Sequence, residues 1–322
     1  MGETAQALIY SAPREVRIDT VDLPSSGITV RTAYSGLSRG TERLVFNGRV
    51  PKSEYDRMRA PLQVGEFPFP VRYGYACVGT VDSRDHALHK KFVFCLHPHQ
   101  TRFAAPEAMV LPIPDCVPPA RAVLAANMET ALNAIWDARL QPGARCLVVG
   151  AGLLGWLITS LLTLRNAVSV DITDIREKSG VKADDFCVNL MTPDRVPTRS
   201  YDVCFHTSAS AAGLQTALDS LTFEGRVIEL SWFGDRDVSI NLGGNFHASR
   251  LSIQCSQVGH VAPVRRNAMS LHNRLAAALL ALDDPRLDLL ITEEVRFRDL
   301  PNALPRLLED GAPGIATRIV YD

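Results

Sequence analysis

Residues 145–174 open with Arg145-Cys146-Leu147-Val148-Val149-Gly150-Ala151-Gly152-Leu153-Leu154-Gly155, continue through an apolar stretch from Trp156 to Leu164, and close on Val168-Ser169-Val170-Asp171-Ile172-Thr173-Asp174. Cys146 to Val149 has the length and apolar character of one buried strand. Gly150, Gly152 and Gly155 follow with G-x-G-x-x-G spacing. Trp156 to Leu164 is apolar around most of a helix, as expected where both faces are covered. Val168 to Ile172 reads as a second strand that ends at an acid.

Each part of this stretch has a physical task in holding a dinucleotide. Gly150 permits the tight turn, and Gly152 lets backbone amides approach a pyrophosphate. Gly155 allows close packing of helix on strand, and the helix N-terminus attracts the anion. Leu153 and Leu154 lie inside the same turn. Asp174, 24 residues beyond the first glycine, can accept hydrogen bonds from ribose hydroxyls. Its carboxylate repels a 2′-phosphate and so favours NAD, while Arg176 can approach such a phosphate and keeps NADP as an alternative. Glycines also mark ordinary turns, but here strand, glycines, helix, strand and acid occur in order.

Working outward, 322 residues are enough for two domains with ample core. A hydrophobic fraction of 46% with 21% charged residues is that of a globular chain. The formal net charge of −1 provides no global field for nucleic acid or acidic lipid. Seven cysteines, odd in number and without a C-x-x-C pair, read as reduced and buried rather than as a disulfide framework. No leader pattern opens the sequence, and the apolar run Leu275–Leu282 is too short to span a bilayer. The expectation is a cytoplasmic protein with a small-molecule substrate, no nucleic-acid partner and no membrane partner.

The expected fold is α/β, a doubly wound parallel sheet joined to a β-rich domain. Residues 1–122 read as short strands broken by Pro, Gly and Ser. The connection over 48–73 carries four prolines and several aromatic and Arg residues, which predicts an ordered wall or lid. Residues 123–258 read as the nucleotide domain. It begins with a helix over 123–140 and continues with strands at 186–190, 202–206 and 227–231 and a helix at 211–221. The room after Asp174 suffices only for a stunted helix over 175–183. Residues 259–322, with helices over 267–282 and 300–308 and strands at 294–297 and 316–321, return to the first domain. Thr207, Ser208 and Trp232, at strand ends, are expected to line the crevice at the carboxyl edge of the sheet.

Several further motifs carry a family resemblance. They are Ser35-Gly36-Leu37-Ser38 with Gly40-Thr41, Gly74 followed by Gly79-Thr80-Val81, Tyr201-Asp202-Val203, Gly225-Arg226-Val227, and Gly314 followed by Arg318-Ile319-Val320. With the Gly150 fingerprint they give the chain an order that resembles the medium-chain dehydrogenase/reductase superfamily over essentially its whole length. That resemblance implies a GroES-like catalytic domain beside a Rossmann domain, a nicotinamide cofactor, an interdomain cleft and pairing as a homodimer. The run Gly36 to Arg43 and Tyr73-Gly74-Tyr75 are similar to the zinc-free branch that contains bacteriochlorophyllide hydroxyethyl dehydrogenase.

Matching the motifs of the zinc members places Ser38, Tyr75-Ala76 and Ala126 at the three metal-ligand positions. None is a usual zinc ligand, and the four-cysteine structural lobe is missing, so neither a catalytic nor a structural zinc is expected. Without a Lewis acid, an alcohol/carbonyl reaction needs side-chain donors or a general acid/base. Tyr75, Ser38, Thr41 and His97 are the catalytic candidates. Tyr75 can equally fill the space of a lost metal, Ser38 and Thr41 can cap a helix, and Arg39 can form a salt bridge. His97 and His99 would share one face of an extended segment. The leading expectation is a zinc-independent NAD(P)-dependent oxidoreductase acting on an alcohol/carbonyl pair. The alternatives are a zinc-free enoyl or quinone reductase and a nucleotide-binding protein that has lost catalysis.

Overall fold

The computed structural model describes residues 3–164, 168–176 and 181–322. Two compact units emerge, Met1–Ala126 with Leu275–Asp322, and Asn127–Arg274. The second unit is therefore inserted into the sequence of the first.

In the first unit β1 (Thr4–Ala12) and β2 (Glu15–Asp22) form an antiparallel hairpin, and β3 (Ile28–Leu37) leads into helix α1 (Arg39–Phe46). Short strands β4 (Val64–Gly65) and β5 (Val71–Arg72) extend the hairpin sheet in the order β2-β1-β5-β4. Next come β6 (Cys77–Val81), β7 (Phe92–Cys95), β8 (Arg102–Ala105) and β9 (Val110–Pro112). Alternating burial along β3 packs Ile28 and Val30 on Cys77, Val93 and Phe103, the core of this sheet.

Helix α2 (Ala125–Ala138) and strand β10 (Arg145–Val149) come next, followed by helix α3 (Leu153–Thr163) and β11 (Ser169–Thr173). The chain continues through β12 (Asn189–Met191), β13 (Tyr201–His206), α4 (Ala211–Ser220) and β14 (Leu221–Glu229). A short helix α5 (Asn245–Ala248) precedes β15 (Ser252–Cys255). All five pairings of β12-β11-β10-β13-β14-β15 are parallel. In order along the sheet the strands run third, second, first, fourth, fifth, sixth, which is the doubly wound arrangement. Its direction of winding reverses at β10, and ligands of such sheets bind outside the carboxyl ends of the strands at that point. Parallel strands covered on both faces need continuous apolar runs, and Cys146, Leu147 and Val148 are fully buried.

Helix α6 (Leu271–Leu280), β16 (Ile291–Arg296), α7 (Leu300–Leu307) and β17 (Ala316–Val320) complete the chain. Strand β17 lies between β16 and β3 in the order β16-β17-β3-β6-β7-β9, with β8 also pairing β3. The α/β architecture with a parallel sheet and a second, largely antiparallel unit is as the sequence predicts.

Local differences have local causes. The N-terminal stretch is not β and loop throughout, because Arg39–Phe46 is helical and buries Leu44, Val45 and Phe46. The helix expected over 123–140 is α2, preceded by a 3-10 turn at Ala122–Leu124, and the chain leaves it at Arg139, which has φ +45°. The helix expected over 267–282 starts at Leu271, where the Ser270 hydroxyl accepts from the Asn273 N–H. The strand expected at 186–190 forms at Asn189–Met191, since Cys187 adopts a left-handed turn after a 3-10 segment at Ala183–Phe186. Part of the short helix expected over 175–183 falls on 177–180, outside the described residues. The 48–73 connection has an aromatic spine, with Tyr55 on Phe67, Phe67 on Tyr73 and Tyr73 on Tyr75 at ring separations of 5.8, 5.7 and 5.9 Å. Among the cysteines, Cys116, Cys187 and Cys255 are exposed rather than buried, and all seven are free thiols. No helix among the described residues is long and apolar enough to cross a membrane.

Candidate active site

The second unit carries the glycine turn. Gly150 follows β10 with φ +112°, a conformation that L side chains rarely adopt. A Cβ there would meet the Thr207 hydroxyl at 2.8 Å and the Ser208 amide nitrogen at 2.9 Å. At Gly155 a Cβ would stand 1.9 Å from the Gly150 carbonyl oxygen, so α3 packs against the turn at a distance only glycine allows. Gly152 is the N-cap of α3, extended in backbone and without a side chain to cap it. No side chain at the N-cap therefore covers the first-turn amides, those of Leu153 and Leu154 among them.

Thr207, directly after β13, donates its hydroxyl to the Gly150 carbonyl at 2.9 Å and so joins the two strand ends at the switch point. Asp174, directly after β11, accepts from the Ala151 N–H at 2.7 Å and from the Arg176 N–H at 3.0 Å. Its two oxygens are thereby fixed beside the glycine turn, and each keeps a lone pair for a ribose hydroxyl. The cradle that added Cβ atoms would fill, the positive φ and the tethered acid fit a dinucleotide. The fingerprint residues, Asp174, Arg176, Thr207 and Ser208 all come together around the carboxyl ends of β10, β11 and β13.

Beneath Ser208 lies a constellation that spacing does not reveal. His206 is fully buried at the end of β13. Its Nε2 is 2.7 Å from the Ser208 Oγ and its Nδ1 is 2.7 Å from Glu229 Oε2 at the end of β14. The second oxygen of Glu229 accepts from the Ser231 N–H at 2.7 Å. Twenty-three positions separate His206 from Glu229, and only the parallel register of β13 and β14, which pairs the two residues directly, makes them neighbours.

The first unit holds the catalytic candidates. Ser38 occupies the N-cap position of α1, yet its side chain makes no capping hydrogen bond. Instead the Tyr75 hydroxyl donates to Ser38 Oγ at 2.5 Å, and Thr41 also hydrogen-bonds Tyr75. Three of the four residues singled out from sequence therefore meet. Burial pushes the Tyr75 phenol up to about 12, opposed by its bonds to Ser38 and Thr41 and reinforced by the charge of Glu42. Tyr75 is consequently a proton donor at neutral pH and not a phenolate base.

Behind them stands Glu42, fully buried one turn into α1. It accepts from the Ser38 N–H at 2.7 Å and the Tyr10 hydroxyl at 2.7 Å, and lies 3.0 Å from His99 Nε2. His99 Nδ1 reaches Ser35 Oγ at 2.8 Å, and Ser35 reaches the Tyr321 hydroxyl at 2.9 Å. Burial and the nearby carboxylate hold Tyr10 well above the usual phenol range, so it donates to Glu42. Gly74 makes room for the imidazole, because a Cβ there would lie 2.8 Å from His99 Cδ2.

The two histidines of His97-Pro98-His99 do not converge. His97 stacks on Phe103 at 4.1 Å, donates from Nδ1 to the Pro98 carbonyl at 2.8 Å, and shows no hydrogen bond to Tyr75, Ser38 or Thr41. Burial lowers it to about 4, and nearby Arg72 and His99 add to the shift against the Pro98 bond. Arg39 turns away from the hydroxyl cluster to Glu293 at 2.9 Å and to Thr317, tying α1 to β16 and β17. Among the described residues no group of three or more His, Cys, Asp or Glu side chains could hold a metal ion.

Solved structures match the chain along its whole length. L-idonate 5-dehydrogenase from Escherichia coli K-12 superposes with a TM-score of 0.79 at 16% identity, over 100% of this chain and 99% of that one. The chain has the medium-chain dehydrogenase fold. A protein described as a short chain alcohol dehydrogenase (rspB) from Escherichia coli CFT073, complexed with NADH, gives 0.76 at 14% identity over 99% and 100%. TarJ from S. aureus, in complex with NADPH, gives 0.74 at 16% identity over 99% and 100%. No protein-family model and no curated protein matches the sequence. Within this medium-chain dehydrogenase fold the glycine turn closes the first strand of the doubly wound sheet, and the Ser38–Tyr75 cluster belongs to the β-rich unit.

Proposed function

We propose that the protein is an NAD(P)-dependent oxidoreductase that interconverts an alcohol and a carbonyl without a catalytic zinc. The observation that carries this reading is the Tyr75–Ser38–Thr41 hydroxyl cluster, of which Ser38 and Tyr75 stand where the resemblance puts metal ligands, with Glu42 holding the Ser38 backbone from behind. A nicotinamide ring supplies the hydride chemistry when bound. Gly150, Gly152, Leu153, Leu154 and Gly155 hold the pyrophosphate, Asp174 the adenosine ribose, and Thr207 and Ser208 the opposite wall of the seat. Asp174 makes NAD the preferred cofactor, with NADP accommodated through Arg176.

Tyr75 acts on the substrate oxygen. In carbonyl reduction charge builds on that oxygen, and a neutral phenol donor stabilises it as it forms. In the free protein the single phenol hydrogen goes to Ser38 Oγ; with substrate bound it turns to the substrate oxygen, and the Ser38 and Thr41 hydroxyls donate to the Tyr75 oxygen instead. The Ser38 backbone is in turn clamped by Glu42. His97 serves packing in this scheme. A donor of this kind would also stabilise the enolate formed by conjugate reduction of an enone, so the reductase alternative uses the same three residues. Pairing through the nucleotide unit is proposed as well, supported by the exposed side chain of Ile253 on β15, which ends the parallel sheet.

The test uses chelator-treated protein, checked to be metal-free. It is expected to bind NADH and to show turnover of ketones or secondary alcohols above that of enones. Activity that appears only with added zinc refutes the zinc-free mechanism. Higher turnover of enones selects the reductase reading, and nucleotide binding without turnover across both panels selects the loss of catalysis.

A further inference from the structure

The nucleotide seat is backed by the Ser208–His206–Glu229 chain, and the hydrogen bonds of that chain are directional. As a carboxylate Glu229 only accepts. Its Oε1 takes the Ser231 N–H and its Oε2 faces His206 Nδ1, so Nδ1 must carry a hydrogen. In the neutral ring Nε2 is then a bare acceptor, and the Ser208 hydroxyl, 2.7 Å away, donates to it. Ser210 Oγ lies 3.1 Å from Ser208 Oγ and already accepts from the Gly213 N–H at 3.0 Å, so its own hydrogen can go to Ser208. One lone pair of Ser208 remains unassigned.

Packing fixes that arrangement. A Cβ at Gly213 would stand 2.1 Å from Ser208 Oγ and 3.0 Å from His206 Nε2, so the first turn of α4 is pressed onto the Ser–His contact. On the other side the Ser208 amide nitrogen lies 2.9 Å from where a Gly150 Cβ would be. The relay thus begins at a buried carboxylate and ends, at the exposed residue Ser208, beside the dinucleotide turn.

We infer that Glu229 and His206 are positioning residues that make Ser208 a hydrogen-bond acceptor toward the nucleotide seat, matched to an N–H or O–H donor of the ligand. This rests on the reading of that seat as dinucleotide-binding. The chemistry selected is an amide N–H or a ribose hydroxyl, and a phosphate oxygen, which has no hydrogen to offer, is disfavoured at this point.

Glu229→Gln tests the relay. Its amide oxygen still serves the Ser231 N–H, so its NH2 group faces Nδ1 and forces the hydrogen onto Nε2. Ser208 then accepts from the ring and presents its own hydrogen to the seat. NADH binding, read by nucleotide fluorescence, is expected to weaken about 5- to 20-fold in Glu229→Gln and by a similar factor in Ser208→Ala. In the Ser208→Ala background Glu229→Gln should change affinity by less than about twofold, because the group it acts through is gone. Nitrogen-15 spectra of imidazole-labelled wild-type protein should show His206 as the neutral Nδ1–H form, a measurement that needs no variant.

The reduced 3-acetylpyridine analogue, in which a methyl replaces the amide NH2, separates the two donors. Loss of the Glu229→Gln effect identifies the amide and its retention identifies a hydroxyl, and both outcomes support an acceptor at Ser208. An Nε2–H or doubly protonated ring in the wild type overturns the inference. So does an equal Glu229→Gln penalty with and without the Ser208 hydroxyl, which would make the pair merely structural. If wild-type protein fails to bind NADH, the nucleotide reading itself falls, and the inferred ligand falls with it.

Discussion

Acid should destabilise this protein through His97, and the size of the effect follows from its surroundings. The imidazole is buried, stacked on Phe103 and lowered to about 4 by that burial. In the unfolded chain it titrates near its ordinary value of 6.5. Between those two values the unfolded state binds a proton that the folded state refuses, so folding stability present above about pH 6.5 is lost as pH falls toward 4. A gap of about 2.5 units amounts to about 3 kcal/mol in full, of which about 2 kcal/mol is gone by pH 5. His97→Phe preserves an aromatic stack on Phe103 and removes the titration. The Pro98 carbonyl that loses the imidazole keeps the Cys77 thiol at 3.3 Å. Urea unfolding followed by intrinsic fluorescence, run for both proteins from about pH 7.5 to pH 5, should show a wild-type loss exceeding that of the variant by about 2 kcal/mol. Parallel pH profiles for the two proteins refute the reasoning, because they would mean that His97 takes up its proton as easily folded as unfolded.

Two glycine-to-alanine substitutions should move stability in opposite directions. Gly155→Ala drives a methyl to 1.9 Å from the Gly150 carbonyl and is expected to cost about 2–3 kcal/mol and to weaken NADH binding, whereas Gly40→Ala, on the exposed side of α1 with nothing within 4 Å, should gain about 0.5–1 kcal/mol. Thermal melts of the pair decide this, and melting shifts of equal sign would contradict the packing at Gly155. Tyr75→Phe should leave the NADH dissociation constant within about twofold while lowering ketone turnover about 100-fold, since a general acid contributes on that scale. With the Tyr75 phenol raised from 10 to about 12, its proton stays bound until pH climbs toward 12. The kcat profile should accordingly lack a Tyr75 ionisation between about pH 6 and 10, and a limb in that range that disappears in Tyr75→Phe would contradict the assignment.

The nucleotide half of the molecule is legible because its information is local. Strand, turn and helix at 145–164 are consecutive, and the requirement for glycine at Gly150 and Gly155 is written into their spacing. Ser38, Tyr75 and Thr41 come from β3 with α1 and from the segment before β6, and the family resemblance supplied their common position. No such guide exists for Tyr10, Glu42, His99 and Tyr321, whose contacts reach across 286 positions between Ser35 and Tyr321. Glu42 reads as one more surface acid of an unrecognised helix, although its position four residues after Ser38 is the one hint that it could reach back to a helix start. His97 and His99 mislead for a different reason. Alternation along an extended segment holds only while the backbone stays regular, and around Pro98 the two rings diverge, one to Phe103 and the other to Glu42. For His206 and Glu229 the missing information is sheet register, which aligns the ends of β13 and β14.

The position of β17 also governs how the protein can be made. This strand fills the gap between β16 and β3, so the sheet of the first unit stays open until β17 itself has been made. The intervening residues of the second unit leave the ribosome earlier and have all six strands of their own sheet in hand. On a translating ribosome the nucleotide unit can therefore be finished while β3 still exposes a bare edge of amide and carbonyl groups, the kind of edge that recruits strands from neighbouring chains. Nascent copies are most vulnerable to one another in that interval, and a chain cut short of Ala316 would remain in it permanently.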